Sequence, residues 1–154
     1  MRKTRVLRAL GIAALVPLLG AYKCTSNVRL STPSSGATYC GSAIPVLYDM
    51  ELDRDTDAYV VVGVHFPASS SSNVEIIQNY KLTPGYYSRT ISASIPWSRV
   101  AAYRGQDAHV FVDIGNLANV GAAGKTMTYA QYKSAISDLW YLHGRSTKSV
   151  KICP

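Results

Sequence analysis

Hydrophobic and polar positions alternate along most of this chain. From Ile44 through Val46, Tyr48, Met50 and Leu52 an apolar residue falls at every second place, with Asp49 and Glu51 pointing the other way, as in a strand buried on one face. The next run, Ala58 to Phe66, puts Val60, Val62, Val64 and Phe66 on one side and reads as a central strand. Beyond a loop tip at Ser69 to Ser72, the run Val74 to Tyr80, with Ile76 and Ile77, returns as another strand. Tyr87 to Ile95 alternates again, with Ile91, Ala93 and Ile95 inward, until Pro96 stops it. Ala108 to Ile114 presents Val110, Val112 and Ile114; Val150 and Ile152 close the chain, and Val28 and Leu30 begin a first strand before Pro33 and Gly36.

One segment has a different period. Tyr129, Tyr132, Ile136, Leu139 and Trp140 recur every three or four residues behind a cap at Thr128, which predicts a helix of about four turns ending near Gly144. A shorter helical turn is expected over Trp97 to Tyr103. No internal repeat is visible. About seven strands with short, turn-rich connections predict an all-β fold, a two-sheet antiparallel sandwich with a helix inserted before the last strand.

The N-terminus changes the chemistry available to this fold. Arg2, Lys3, Arg5 and Arg8 precede an apolar run from Ala9 to Ala21, too short to span a bilayer comfortably and interrupted by Pro17; this reads as a secretory signal peptide over residues 1–21, followed by one domain over 22–154. The mature product is then expected in the periplasm, at the cell surface or outside the cell, with no transmembrane span. Loss of the leader lowers the net charge from +7 to +3. The remaining Lys and Arg are scattered singly, without the stripe that phosphate recognition needs, so nucleic acid is not an expected partner. Cys24, Cys40 and Cys153 remain, one pair and one spare thiol in an oxidising compartment, with three pairings open. None has C-x-x-C spacing, and Ala21, Tyr22 and Lys23 match poorly the small residues that precede a lipidated cysteine.

The stretch V-R-L-S-T-P-S-S-G-A-T-Y-C at Val28 to Cys40, a strand with an interior proline, and A-Y-V-V-V-G-V-H-F together resemble the start of immunoglobulin-like or fibronectin type III-like modules of secreted bacterial proteins. Ser94 to Asp113 is similar to the last two sheet crossings of such modules, and Gly115 to Gly144 departs from them as a long insertion. The resemblance implies first and last strands lying side by side in parallel. It therefore implies a Cys40–Cys153 bridge with Cys24 spare, Cys24–Cys153 being the competing pair.

Four constellations bear on chemistry. Asp53, Asp55 and Asp57 reproduce the opening of a calcium loop, but Ala58 replaces its turn glycine and Val64 its closing glutamate, so a solvated strand end is expected. Gly124, Lys125 and Thr126 end like a phosphate loop, but Asn119 stands where that loop needs glycine, and a glycine-rich loop leading into a helix is expected instead. His65, His109 and Asp113 fall on outward faces of two neighbouring strands and have the ligand types of a zinc or copper site; the competing reading packs that face under the inserted helix. No serine lies in a G-x-S-x-G elbow or in a context that pairs it with a histidine.

Eleven tyrosines and two tryptophans against two phenylalanines favour surfaces that meet sugars or proteins in water. Tyr86 with Tyr87, Trp97, and the helix group Tyr129, Tyr132, Trp140 and Tyr141 are the candidate contact residues. The expected function is that of a non-catalytic exported interaction module, without cofactor, serving as a subunit or accessory of an envelope or extracellular assembly through a protein partner or self-assembly. A glycan-binding, adhesin-like module and a small metal-binding secreted protein are the alternatives.

Overall fold

The computed structural model describes residues 25–136 and 142–154; the leader, Cys24, Trp140 and Tyr141 lie outside the described residues. The chain runs β1 (Thr25–Thr32), β2 (Ala37–Tyr39), β3 (Ile44–Arg54), β4 (Ala58–Phe66), β5 (Asn73–Leu82), β6 (Gly85–Ile95), α1 (Trp97–Val100) continuing into a 3-10 turn (Ala101–Tyr103), β7 (Asp107–Gly115), a second 3-10 turn (Ala118–Val120), β8 (Thr126–Thr128), α2 (Tyr129–Ala135) and β9 (Leu142–Ile152). The strands form two sheets, β1-β3-β6 and β2-β9-β7-β4-β5-β8, antiparallel throughout except where β2 runs parallel to β9.

The predicted alternation places the core. In β3 Ile44, Val46, Tyr48, Met50 and Leu52 are buried while Asp49, Glu51 and Asp53 face water. They meet Val60, Val62, Val64 and Phe66 of β4 and Val110, Val112 and Ile114 of β7 between the sheets. Removing each such side chain from water contributes about 1.5–3 kcal/mol. β4 is buried on its second face too, because Val61 joins Val74, Ile76 and Phe111 beneath Leu117, Val120, Met127 and Tyr132 of the 116–136 segment. That segment caps the outer face of the larger sheet. The competing expectation for this face, packing under the insertion, therefore describes it.

Three expectations are corrected. α2 has the Thr128 cap, in a capping box with Gln131, but it is seven residues long and gives way at Ile136 rather than near Gly144. The last strand is correspondingly longer than Val150 to Ile152, because β7 needs a partner along its whole length and β9 supplies one from Asp107↔Lys151 to Gly115↔Leu142. Gly144 lies inside β9, where an added Cβ would touch Val28 Cγ1 at 3.5 Å and Ser26 O at 3.6 Å. The strand number is also higher than about seven, since β2 and β8 are separate three-residue strands among the nine described.

Cys40 follows β2 and Cys153 follows β9, with Cα atoms 5.0 Å apart in a disulfide. The backbone N–H of Cys153 donates to Tyr39 O at 3.0 Å, continuing the parallel pairing to the bridge. This agrees with the pairing that the resemblance implies.

Candidate functional site

The two sides of the sandwich differ. On one side β1 lies against β9: the Leu30 N–H donates to Ser146 Oγ at 2.9 Å, and the β1–β3 register breaks between Leu30 and Thr32 before Pro33. On the other side β6 borders its sheet, pairing with β3 through eleven consecutive positions from Ile44↔Ile95 to Arg54↔Gly85 without a bulge. No loop or turn backbone hydrogen bond among the described residues reaches β6. It contains no proline and no lysine.

Sheet edges invite pairing with other chains, and proteins blunt them by shortness, bulges, proline, charged side chains or a covering segment; of these devices β6 carries one charge, Arg89. β2 and β8 are three residues each, and β1 is bulged and covered. β5 beyond β8 is interrupted by a bulge at Ile77 and carries Lys81, while Asn79 Nδ2 donates to Gly121 O at 2.7 Å. Among the described residues β6 is the long, regular, open edge.

A second feature lies on the capped face. His65 of β4 stands opposite His109 of β7, ring centroids 5.8 Å apart. Tyr129, the first residue of α2, stacks on His65 at 4.2 Å, and His65 Nε2 lies 2.8 Å from Ser72 Oγ. Burial depresses the His65 pKa, and His109 and Arg145 add to the effect, so the neutral ring is favoured. Nearby, fully buried Asp113 accepts from Arg145 Nε and Nη2, both at 2.7 Å, and from the Tyr132 hydroxyl. Hydrogen bonding to Asp113 raises the Arg145 pKa; burial, then Asp113, raises that of Tyr132. The cleft between these groups is small, about 80 Å³.

These distances correct the metal expectation. His65 and His109 come together, but Asp113 is four residues farther along β7, about 13 Å at the rise of a strand, and its oxygens hold Arg145 and Tyr132. Among the described residues no three His, Cys, Asp or Glu side chains form a group that could hold a metal ion. The absence of a serine paired with a histidine is also corrected, by Ser72. Its left-handed φ of 48° belongs to a turn in which the Ser72 N–H bonds Ser69 O and the Asn73 N–H bonds Ser69 Oγ. The amides beside the hydroxyl are thus spent inside the turn and offer nothing to an oxyanion, and Asp113 orients Arg145, not His65.

The remaining candidates separate. Tyr86 and Tyr87, adjacent on β6, point to opposite faces: Tyr86 is 64% exposed, whereas the Tyr87 hydroxyl donates to Thr83 O at 3.0 Å. Trp97 is partly buried against the core with Arg104 5.7 Å from its ring, Tyr129 lies between His65 and Lys133, and Tyr132 is buried. Among the described residues these aromatics form no shared stacking platform. Asp57 pairs with Lys81 at 2.5 Å and Asp49 accepts from Thr90, as solvated strand ends do. Thr126 opens β8, not a helix, and donates to Glu75. The outer face of the smaller sheet mixes Arg29 with Asp49 and Glu51. No described helix is long and apolar enough to cross a membrane.

Sequence reasoning missed Arg145, Ser72 and the buried Glu75, which accepts from Tyr103 and Thr126 and pairs with Arg99 at 2.5 Å. Glu75 had a signal: a lone acid between Val74 and Ile76 in an apolar strand needs a buried partner. Comparison of the chain with protein-family models and with curated proteins finds no match to either.

Proposed function

We propose that the chain is an exported, non-catalytic interaction module of immunoglobulin-like or fibronectin type III-like type, a subunit or accessory of a cell-envelope or extracellular assembly that engages a protein partner along a sheet edge. The observation that carries this reading is the eleven-residue open edge of β6 beside three edges that are short, bulged or covered. An edge left open in this way favours partner binding by strand addition. The sheet order and the parallel β2–β9 pair support the family reading, and the Cys40–Cys153 bridge supports an oxidising compartment.

The test is a photo-crosslinking amino acid at Thr90 or Ser92 of β6, with exposed Ser35 as control, in the full chain expressed by its native producer. A crosslinked product of discrete mass from the β6 positions alone is expected. Equal capture at Ser35, or none from β6, contradicts the proposal, as does recovery of an uncut, fully reduced chain from the cytosol. Among the described residues Tyr86 is the exposed aromatic candidate for the glycan alternative, and a blank glycan array removes that alternative.

A further inference from the structure

We propose that the seam between β5 and β6 receives an extended strand of another polypeptide, apolar at alternate positions with one of these replaced by an acidic residue that meets Arg89. The inference rests on the interaction reading above and names the chemistry of the partner.

The sandwich is closed where β1 meets β9 and unfinished where β5 faces β6. Inner-face residues are fully buried in the middle of the core, but Ile77 and Tyr80 of β5 and Tyr87 and Ile91 of β6 are only partly buried. These four half-covered apolar groups flank the free backbone edge. A strand added to β6 presents every second side chain to this side, so apolar residues at alternate positions complete the cover while its backbone fills the vacant donors and acceptors. The line continues into a cleft of about 240 Å³ beside Ile77, Ser94 and Pro96.

Charge selects among occupants. Arg89 is the one charged residue of β6; its guanidinium lies 5.1 Å from the Tyr87 ring centre, and it has no carboxylate partner among the described residues. The other charges at the seam, Glu75 and Arg99, satisfy each other. Arg89 is therefore an unmatched cation beside apolar surface, which an incoming carboxylate pairs with directly. A second copy joined β6 to β6 brings two Arg89 side chains to one interface and no acid from either strand. Like charges disfavour that arrangement.

The experiment titrates the full chain against two labelled nine-residue peptides that alternate threonine and valine, one with a valine replaced by glutamate and one with lysine at the same place. Fluorescence anisotropy is expected to show the glutamate peptide binding at least about tenfold more tightly than the lysine peptide, Arg89→Glu reversing the preference, and Ile91→Asp abolishing both while the circular dichroism of the sandwich persists. Binding of neither peptide by folded protein overturns the inference, as does binding without preference or self-association through β6 by sedimentation. If β6 crosslinks a partner and the peptides fail, the interaction reading stands and this chemistry falls. Peptide binding without crosslinking in the producer has the opposite meaning.

Discussion

Arg145→Met should destabilise the domain more than Asp113→Asn, although both break the same ion pair. The asymmetry follows from solvent access: the Asp113 side chain has no exposure, whereas that of Arg145 is 37% exposed. Arg145→Met leaves a buried carboxylate with one remaining described partner, the Tyr132 hydroxyl, and breaking a buried pair in this way costs about 3–5 kcal/mol. Asp113→Asn leaves an amide oxygen to accept from Tyr132 and a guanidinium that water can reach. The loss is then the charge-assisted part of the bonds, about 1.5–3 kcal/mol. Urea unfolding followed by circular dichroism, with unchanged slopes, gives the two values directly. Equal losses, or a larger loss for Asp113→Asn, would show that burial of the carboxylate does not set the cost.

Three further outcomes are expected. Replacing Cys40 and Cys153 by serine opens a loop spanning 113 positions and should lower stability by about 2–5 kcal/mol, read by urea unfolding in a Cys24→Ser background that prevents thiol exchange. The depressed His65 pKa means that its contribution is fully present above about pH 6.5 and is lost as pH falls toward the folded-state value; His65→Gln should flatten that part of the stability profile. Gly63→Ala puts a Cβ about 2.9 Å from Phe111 Cε1 and 3.0 Å from Glu75 O, so it should cost about 1–3 kcal/mol by thermal unfolding, partly recovered when Phe111 is also made leucine.

The parts of the fold legible in the sequence are those whose side chains carry the period of their element. β3 and β6 alternate, and β4 and β7 carry an apolar residue at every second place toward the smaller sheet, so both their existence and their inward faces could be read. β9 could be read only at Val150 and Ile152, because Gly144 to Ser149 contains no apolar residue; that stretch is a strand because β7 requires a partner, a tertiary cause with no local trace. The same segment hid the site. Once Leu139 and Trp140 extended the helical pattern toward Gly144, Arg145 had no place in a strand opposite Asp113, and Asp113 was grouped with histidines instead of with its guanidinium. The adjacency of His65 and His109 was visible because it needed only two alternating strands in register. The openness of β6 was not, since an edge is a property of sheet order.

Amide hydrogen exchange along β6 reads the open edge itself, with the free protein compared with the protein bound to the glutamate peptide. Alternation is expected from Tyr86 to Ile95 in the free protein, amides facing β3 protected and those facing outward exchanging rapidly, with the outward set slowed on binding. Uniform protection along β6 in the free, monomeric protein, equal to that of β3, would contradict an open edge.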